Sequence, residues 1–125
     1  MRLQLTPHSR IFVATAPVDF RKGLDGLGAV CRQRLGDNPL EGAIYVFRNR
    51  AGTALKLLLY DGQGYWMMMK RLSQGRFLWW PTSADARGPL SARALIILLW
   101  HGNPERAQMA RDGRRVASGE ARLLA

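Results

Sequence analysis

Between Gly42 and Pro81 the chain repeats one device. Short apolar segments in which side chains alternate with a period of two are joined by tight turns rich in glycine. "GAIYVFRNR" runs into the turn "NRAG", "TALKLLLYD" into "DGQG", "YWMMMKRL" into "SQG", and "RFLWWP" ends at Pro81. Segments this short can satisfy their backbone groups only by pairing with a neighbour, and turns this tight make the next segment that neighbour, so the pattern predicts an antiparallel meander. In the second segment Leu55, Leu57 and Leu59 share one face, and Lys56, Leu58 and Tyr60 share the other. Both faces are largely apolar, which requires cover on both sides from helices, tail or partner.

Upstream, "RIFVATA" at 10–16 is β-branched and aromatic and is closed by Pro17, so it reads as a further strand. From Phe20 the apolar positions Phe20, Leu24, Leu27, Val30, Cys31 and Leu35 follow one helical face. This predicts a main helix over about 20–35, with Asp19 as its N-cap and Gly36 as its C-cap. "DNPLEG" is a turn and "PTSADARGPL" a loop, after which Ser91 caps a short helix over about 91–100. The fold class expected is therefore α+β, a meander of four to five strands packed with two helices. A single domain is expected over 1–102, which 47% hydrophobic residues and eleven aromatics (four Trp, four Phe, three Tyr) suffice to fold. The Arg- and Ala-rich remainder, 103–125, is expected to be a basic, frayed or partly helical tail.

The charge balance narrows the partner. Nineteen Lys and Arg stand against nine Asp and Glu, a net charge of +10, and most of the cations are Arg, whose planar fork suits phosphate. A polyanion such as DNA is the expected partner. Cys31 is the only cysteine and His8 and His101 are the only histidines, so there is neither a disulfide nor zinc-ligand spacing, and no cofactor or metal is expected. The N-terminal "MRLQLTPHSR" lacks the apolar core of a leader, and the longest apolar run, "ALIILLW", is too short to span a bilayer. A cytoplasmic protein with no membrane partner is expected.

"FRKGLDGLG" at 20–28 looks like a phosphate loop, yet its order is wrong. A dinucleotide fingerprint needs G-x-G-x-x-G and a P-loop needs Lys after its glycines; here Gly23, Gly26 and Gly28 follow Lys22 and lie within helical periodicity. As a G-x-x-G backbone clamp, "GLDG" would hold Asp25 against a phosphate. Close packing against the sheet or a partner is the favoured reason for these glycines. Asp19, Asp25 and Asp61 could in principle form a Mg²⁺-binding nuclease cluster, but a cap, a solvated helix carboxylate and a turn residue explain them better. No serine has a nucleophile-elbow context. A non-enzymatic protein is expected.

Basic and aromatic residues are more informative together. Arg48, Arg50, Lys56, Lys70, Arg71 and Arg76 cluster on or beside the hairpin turns, interleaved with Tyr45, Phe47, Tyr60, Trp66 and Trp79, a composition that neutralises phosphates and stacks bases. The competing reading is a solvated rim around core aromatics.

The order "VDFRKGLDGL", "GAIYVFRNRAGTALKLLLYDGQGYWMMMKRL", "GRFLWWP" and a short Leu-rich helix resembles the accessory TnpB, or Orf2-like, proteins of the IS-sixty-six class of bacterial insertion sequences. The resemblance spans about residues 7–102 and leaves the tail outside it. It implies participation in transposition beside a separate transposase that carries the catalytic carboxylates, and it supplies no catalytic residues. The motif positions here include Asp19, Gly23, Asp25, Gly26, Asp61, Gly62, Gly64, Gly75 and Phe77, expected to be structural. Arg21, Lys22, Arg48, Arg50, Lys70, Arg71 and Arg76 are the expected nucleic-acid contacts. Partners expected are DNA and the element's transposase; the alternatives are a pure adaptor for the transposase and a small metal-dependent nuclease.

Overall fold

Asn49 and Asp61 close the two hairpins that organise the sheet. Asn49 Oδ1 accepts the backbone N–H groups of Thr53 (2.9 Å) and Ala54 (3.2 Å). Asp61 Oδ1 accepts those of Gln63 (2.9 Å) and Gly64 (3.0 Å). Gly52 (φ +72°) and Gly62 (φ +98°) supply the left-handed backbone these turns demand, which other residues adopt only at a cost. The computed structural model describes residues 10–100. In it the turns join β2 (Ile44–Arg48), β3 (Ala54–Tyr60) and β4 (Tyr65–Arg71) into the expected antiparallel meander.

Beyond the meander the sheet differs from the sequence expectation in two places. β1 (Ile11–Ala14) joins β2 in parallel, and β5 (Arg87–Pro89) pairs antiparallel with β1, giving a mixed five-stranded sheet of order β4-β3-β2-β1-β5. The loop expected at "PTSADARGPL" thus contributes an edge strand, where Pro89 needs no outward ladder partner. "RFLWWP" is not a strand. After Leu72 N–H bonds to Thr53 O and Phe77 N–H to Gly52 O, the chain leaves the ladder, and Phe77, Trp79 and Trp80 lie over a face of the sheet. Two indoles lose more water-exposed surface on a face than at an edge, and the Trp80 indole N–H is satisfied there by Ala14 O (3.0 Å).

The helix after β1 also departs from expectation. α1 spans Leu24–Gln33, with Gly23 as N-cap and Arg34 as C-cap, and Gly36 lies beyond the cap. Asp19 does not cap α1. Its Oδ1 accepts the Arg21 N–H (2.9 Å) and its carbonyl accepts the Lys22 N–H (3.1 Å), which makes a separate tight turn. The physical reason lies in the sheet: Lys56, only 5% exposed, points its ammonium at the carbonyls of Phe20 (2.8 Å) and Lys22 (3.0 Å). Carbonyls turned sideways toward a buried cation do not point along a helix axis, and the helix begins after them.

Each face has its own cover, as the doubly apolar strands require. On one face Leu27, Val30 and Cys31 of α1 pack against Ala14, Tyr45, Phe47 and Leu58. On the other, Leu95 and Leu98 of α2 (Ala92–Leu99) pack against Val13, Val46, Leu55 and Leu57, with the Trp segment alongside. Ser91 caps α2 as expected, its hydroxyl accepting the Ala94 N–H (3.0 Å). The tail expected at 103–125 lies outside the described residues, as do His8 and His101.

Two measurements test this packing. Lys56→Met removes the donor and leaves the partly buried Phe20 and Lys22 carbonyls without it, so the urea midpoint should fall by the equivalent of roughly 1–3 kcal/mol, whereas Arg50→Ala on the surface should change it by less than about 0.5 kcal/mol. Burial, reinforced by the Asp37 charge, pushes the Cys31 thiol up to about 12. Since only the thiolate attacks, Cys31 should resist a thiol reagent at neutral pH in the native protein and react fully in denaturant.

Candidate nucleic-acid interface

The strand register gathers cations at one end of the sheet. β1 and β2 finish there and β3 begins there. Arg48 pairs with Leu55, which pairs with Lys70, and Ala54 pairs with Arg71. Arg50 sits in the 49–52 turn beyond them, and the Arg76 side chain lies against Gly52. The Val18 N–H bonds to Arg48 O (2.9 Å), which brings the turn carrying Arg21 and Lys22 to the same end. An open cleft of about 420 Å³ separates these two turns, lined by Pro17, Val18, Asp19, Phe20, Asn49, Arg50 and Ala51. Seven cations distant in sequence therefore share one end of the fold.

They are not equivalent. Arg50, Arg71 and Arg76 are exposed. Arg21 is exposed but forked onto Asp19, with Nε at 3.0 and 3.1 Å and Nη2 at 2.7 Å from its carboxylate oxygens. That fork and the Arg21 backbone N–H hold Asp19 down at about 2, so the carboxylate stays ionised at any working pH. Arg48 is half-buried with its guanidinium 5.7 Å from the Trp80 ring centre, and its Nε is buried with no hydrogen-bond partner among the described residues. Lys70 donates to Leu99 O at the end of α2 and lies 5.4 Å from the Trp100 ring centre. Lys56, read from sequence as part of the cluster, is the buried tie described above.

The aromatic half of the sequence reading divides similarly. Tyr45 and Phe47 are core residues, so they stack on no ligand. Trp66 and Tyr60 stand at the opposite end of the sheet, beside the 61–64 turn. Interleaving along the chain is therefore not interleaving in space.

Most motif residues have structural explanations. Gly26 leaves room for Lys22, whose Cβ would lie 2.9 Å from any Cβ placed there, and Gly28 is buried beside Tyr65. At Gly23 a Cβ would meet open space, so close packing does not explain it. Asp61 accepts from the Trp66 indole (2.7 Å) as well as from its turn, and these bonds lower its carboxyl below the usual range. Gly64 closes the same turn by accepting the Asp61 N–H (3.1 Å), and Gly75 takes φ +74° in the next. Asp25 is an exposed residue of the first turn of α1. Asp19 and Asp61 lie at opposite ends of the sheet, so the imagined three-carboxylate cluster does not form. Among the described residues no three His, Cys, Asp or Glu side chains could hold a metal.

Two contributors escaped the sequence reading. Trp80, assigned to a strand, is the surface on which Arg48 rests. Asp37, assigned to a turn, binds the Tyr45 hydroxyl (3.1 Å) and Arg87 Nε (3.4 Å), and burial with that bond pushes the Tyr45 phenol up. An N-x-x-G turn signalled Asn49; nothing local signalled the other two.

Comparison with known proteins agrees with the motif order. Residues 9–108 match the family described as IS66 Orf2 like protein. A relative in Sinorhizobium fredii (strain NBRC 101917 / NGR234), named "Uncharacterized protein y4hO", is 39% identical over 90 residues, covering 72% of this chain and 77% of its own. A second from the same strain, "Uncharacterized protein y4jC", is 40% identical over 77 residues, covering 62% and 66%. No solved structure matches. No helix among the described residues is long and apolar enough to cross a membrane. The ordered motifs, the match along most of the chain and the shared identity have one reading: this chain belongs to the IS66 Orf2-like family of insertion-sequence proteins.

Proposed function

We propose that this chain is a non-catalytic accessory factor that holds nucleic-acid backbone at the basic end of its sheet during transposition. Family membership implies the accessory role in transposition, and it is consistent with the absence of catalysis. The observation that carries the binding reading is the convergence of Arg21, Lys22, Arg48, Arg50, Lys70, Arg71 and Arg76 at one end from three separate segments. Like charges gathered this way repel one another, a cost that an anion running across them would relieve. Exposed Arg50, Arg71 and Arg76 make the phosphate contacts, while Arg48 and Lys70, already resting on indoles, set the shape of the surface.

A second reading has its own support. Leu78 and Trp100 are exposed apolar side chains, the kind of surface by which an adaptor takes up a protein partner such as the transposase. Co-purification with the transposase that survives nuclease treatment and high salt favours this reading over the first.

Retention on element-end DNA across a salt series decides the matter. Affinity should fall steeply with salt, and Arg50→Ala and Arg71→Ala should each weaken binding to every sequence alike while reducing the logarithmic salt slope by about one. Asp19→Asn releases Arg21 from its fork and should steepen the slope by up to about one. Binding indifferent to salt, or none at low salt, overturns the proposal.

A further inference from the structure

β4 ends the sheet, and its outer side pairs with no described strand. Unlike the buried strands beside it, it exposes Trp66 (38%), Met67 (37%) and Met69 (49%). From this edge we infer that two copies of the chain pair antiparallel through β4, about a two-fold axis at Met68, to form one continuous sheet. The inference is argued from the edge and not from nucleic-acid binding, although it uses Lys70 and Arg71, which also stand at the basic end.

The backbone restricts the register to antiparallel pairings of odd-numbered residues of β4 with one another. Asp61 N–H bonds to Gly64 O and Leu72 N–H to Thr53 O, so the closely bonded pairs of the β3–β4 ladder fall on even-numbered residues of β4. The N–H and C=O groups of Tyr65, Met67, Met69 and Arg71 therefore face outward. A two-fold axis at Met68 sets Met67 against the partner's Met69 and Tyr65 against the partner's Arg71, so the outward groups meet one another and both bonds of each pair form.

Among these registers the side chains select the axis at Met68. On the face shared with α1, each Arg71 meets a Tyr65 and each Met67 a Met69; on the α2 face, each Lys70 meets a Trp66. Cations thus face aromatic rings, an attractive arrangement. Edge cations ordinarily discourage sheet extension, and a parallel pairing in register would indeed set Lys70 on Lys70 and Arg71 on Arg71. Moving the axis to Met67 or Met69 leaves every cation without its ring. The strand YWMMMKR, aromatic at one end, cationic at the other and thioether between, is complementary to its own reverse. Methionine tolerates the irregular contact across the axis.

The test is the mass of the full chain by light scattering across a concentration series, with four variants. The wild type should run at twice its 14.0 kDa mass. Met67→Pro removes an outward donor without touching the β3 ladder and should return the mass to the monomer with an unchanged circular dichroism spectrum. Met67→Lys, on an exposed position, should do the same, and it decides if the proline variant fails to fold. Met68→Cys, alone on the axis with a Cα separation near 4.5 Å, should oxidise to a covalent dimer. A wild type that stays monomeric overturns the inference, including one whose outward β4 amides are protected from hydrogen exchange by another part of the same chain. So does a dimer indifferent to both Met67 variants, or one that Met67→Cys cross-links and Met68→Cys does not.

Discussion

A single buried ammonium connects the family signature to the sheet. Lys56 stands on a central strand, in surroundings where an unpaired charge would be intolerable, and it is held by the carbonyls of Phe20 and Lys22 with the Phe20 ring 4.9 Å away. Satisfying it turns two consecutive-but-one carbonyls inward, which ends any helix before Gly23 and turns the Arg21 and Lys22 side chains outward. Together with the Val18 N–H bond to Arg48 O, the same contact holds the turn carrying those cations beside the 49–52 turn, so the arrangement of the basic end depends in part on a residue that takes no part in it.

Layering follows from a second constraint. β2 and β3 are apolar on both sides, and two helices of modest length cannot cover five strands evenly. α1 lies over the centre of one face, while the other needs α2 together with Phe77, Trp79 and Trp80. What remains uncovered among the described residues falls at the margin: the outer edge of β4, and exposed Arg50, Arg71 and Arg76 at the end where β2 finishes. Both candidate interaction surfaces are thus where the core ran out of cover.

Legibility differed with the range of the forces involved. The hairpins were readable because Asn49, Gly52, Asp61 and Gly62 settle their turns within a few residues, and Ser91 announced α2 for the same reason. The start of α1 was misread because Asp19 has every local qualification of a cap, and only Lys56, far along the chain, diverts the carbonyls that would continue the helix. The Trp segment was misread because alternation cannot tell a strand from a chain laid across a face. The basic cluster was legible as composition, but the setting of each cation was not: Lys56 is interior, Lys70 is tied to α2, and Arg21 is held by Asp19.

By itself the sequence determined the class of fold, the three antiparallel strands, the capped second helix, the excess of positive charge and the family, since each rests on composition, local periodicity or motif order. Only the tertiary structure decided the parallel entry of β1, the fifth strand, the depth of Lys56, the burial of Tyr45 and Phe47, and the gathering of the cations at one end. Those depend on which distant segments share a face or a register, and that is settled by burial and by the satisfaction of polar groups across the whole chain.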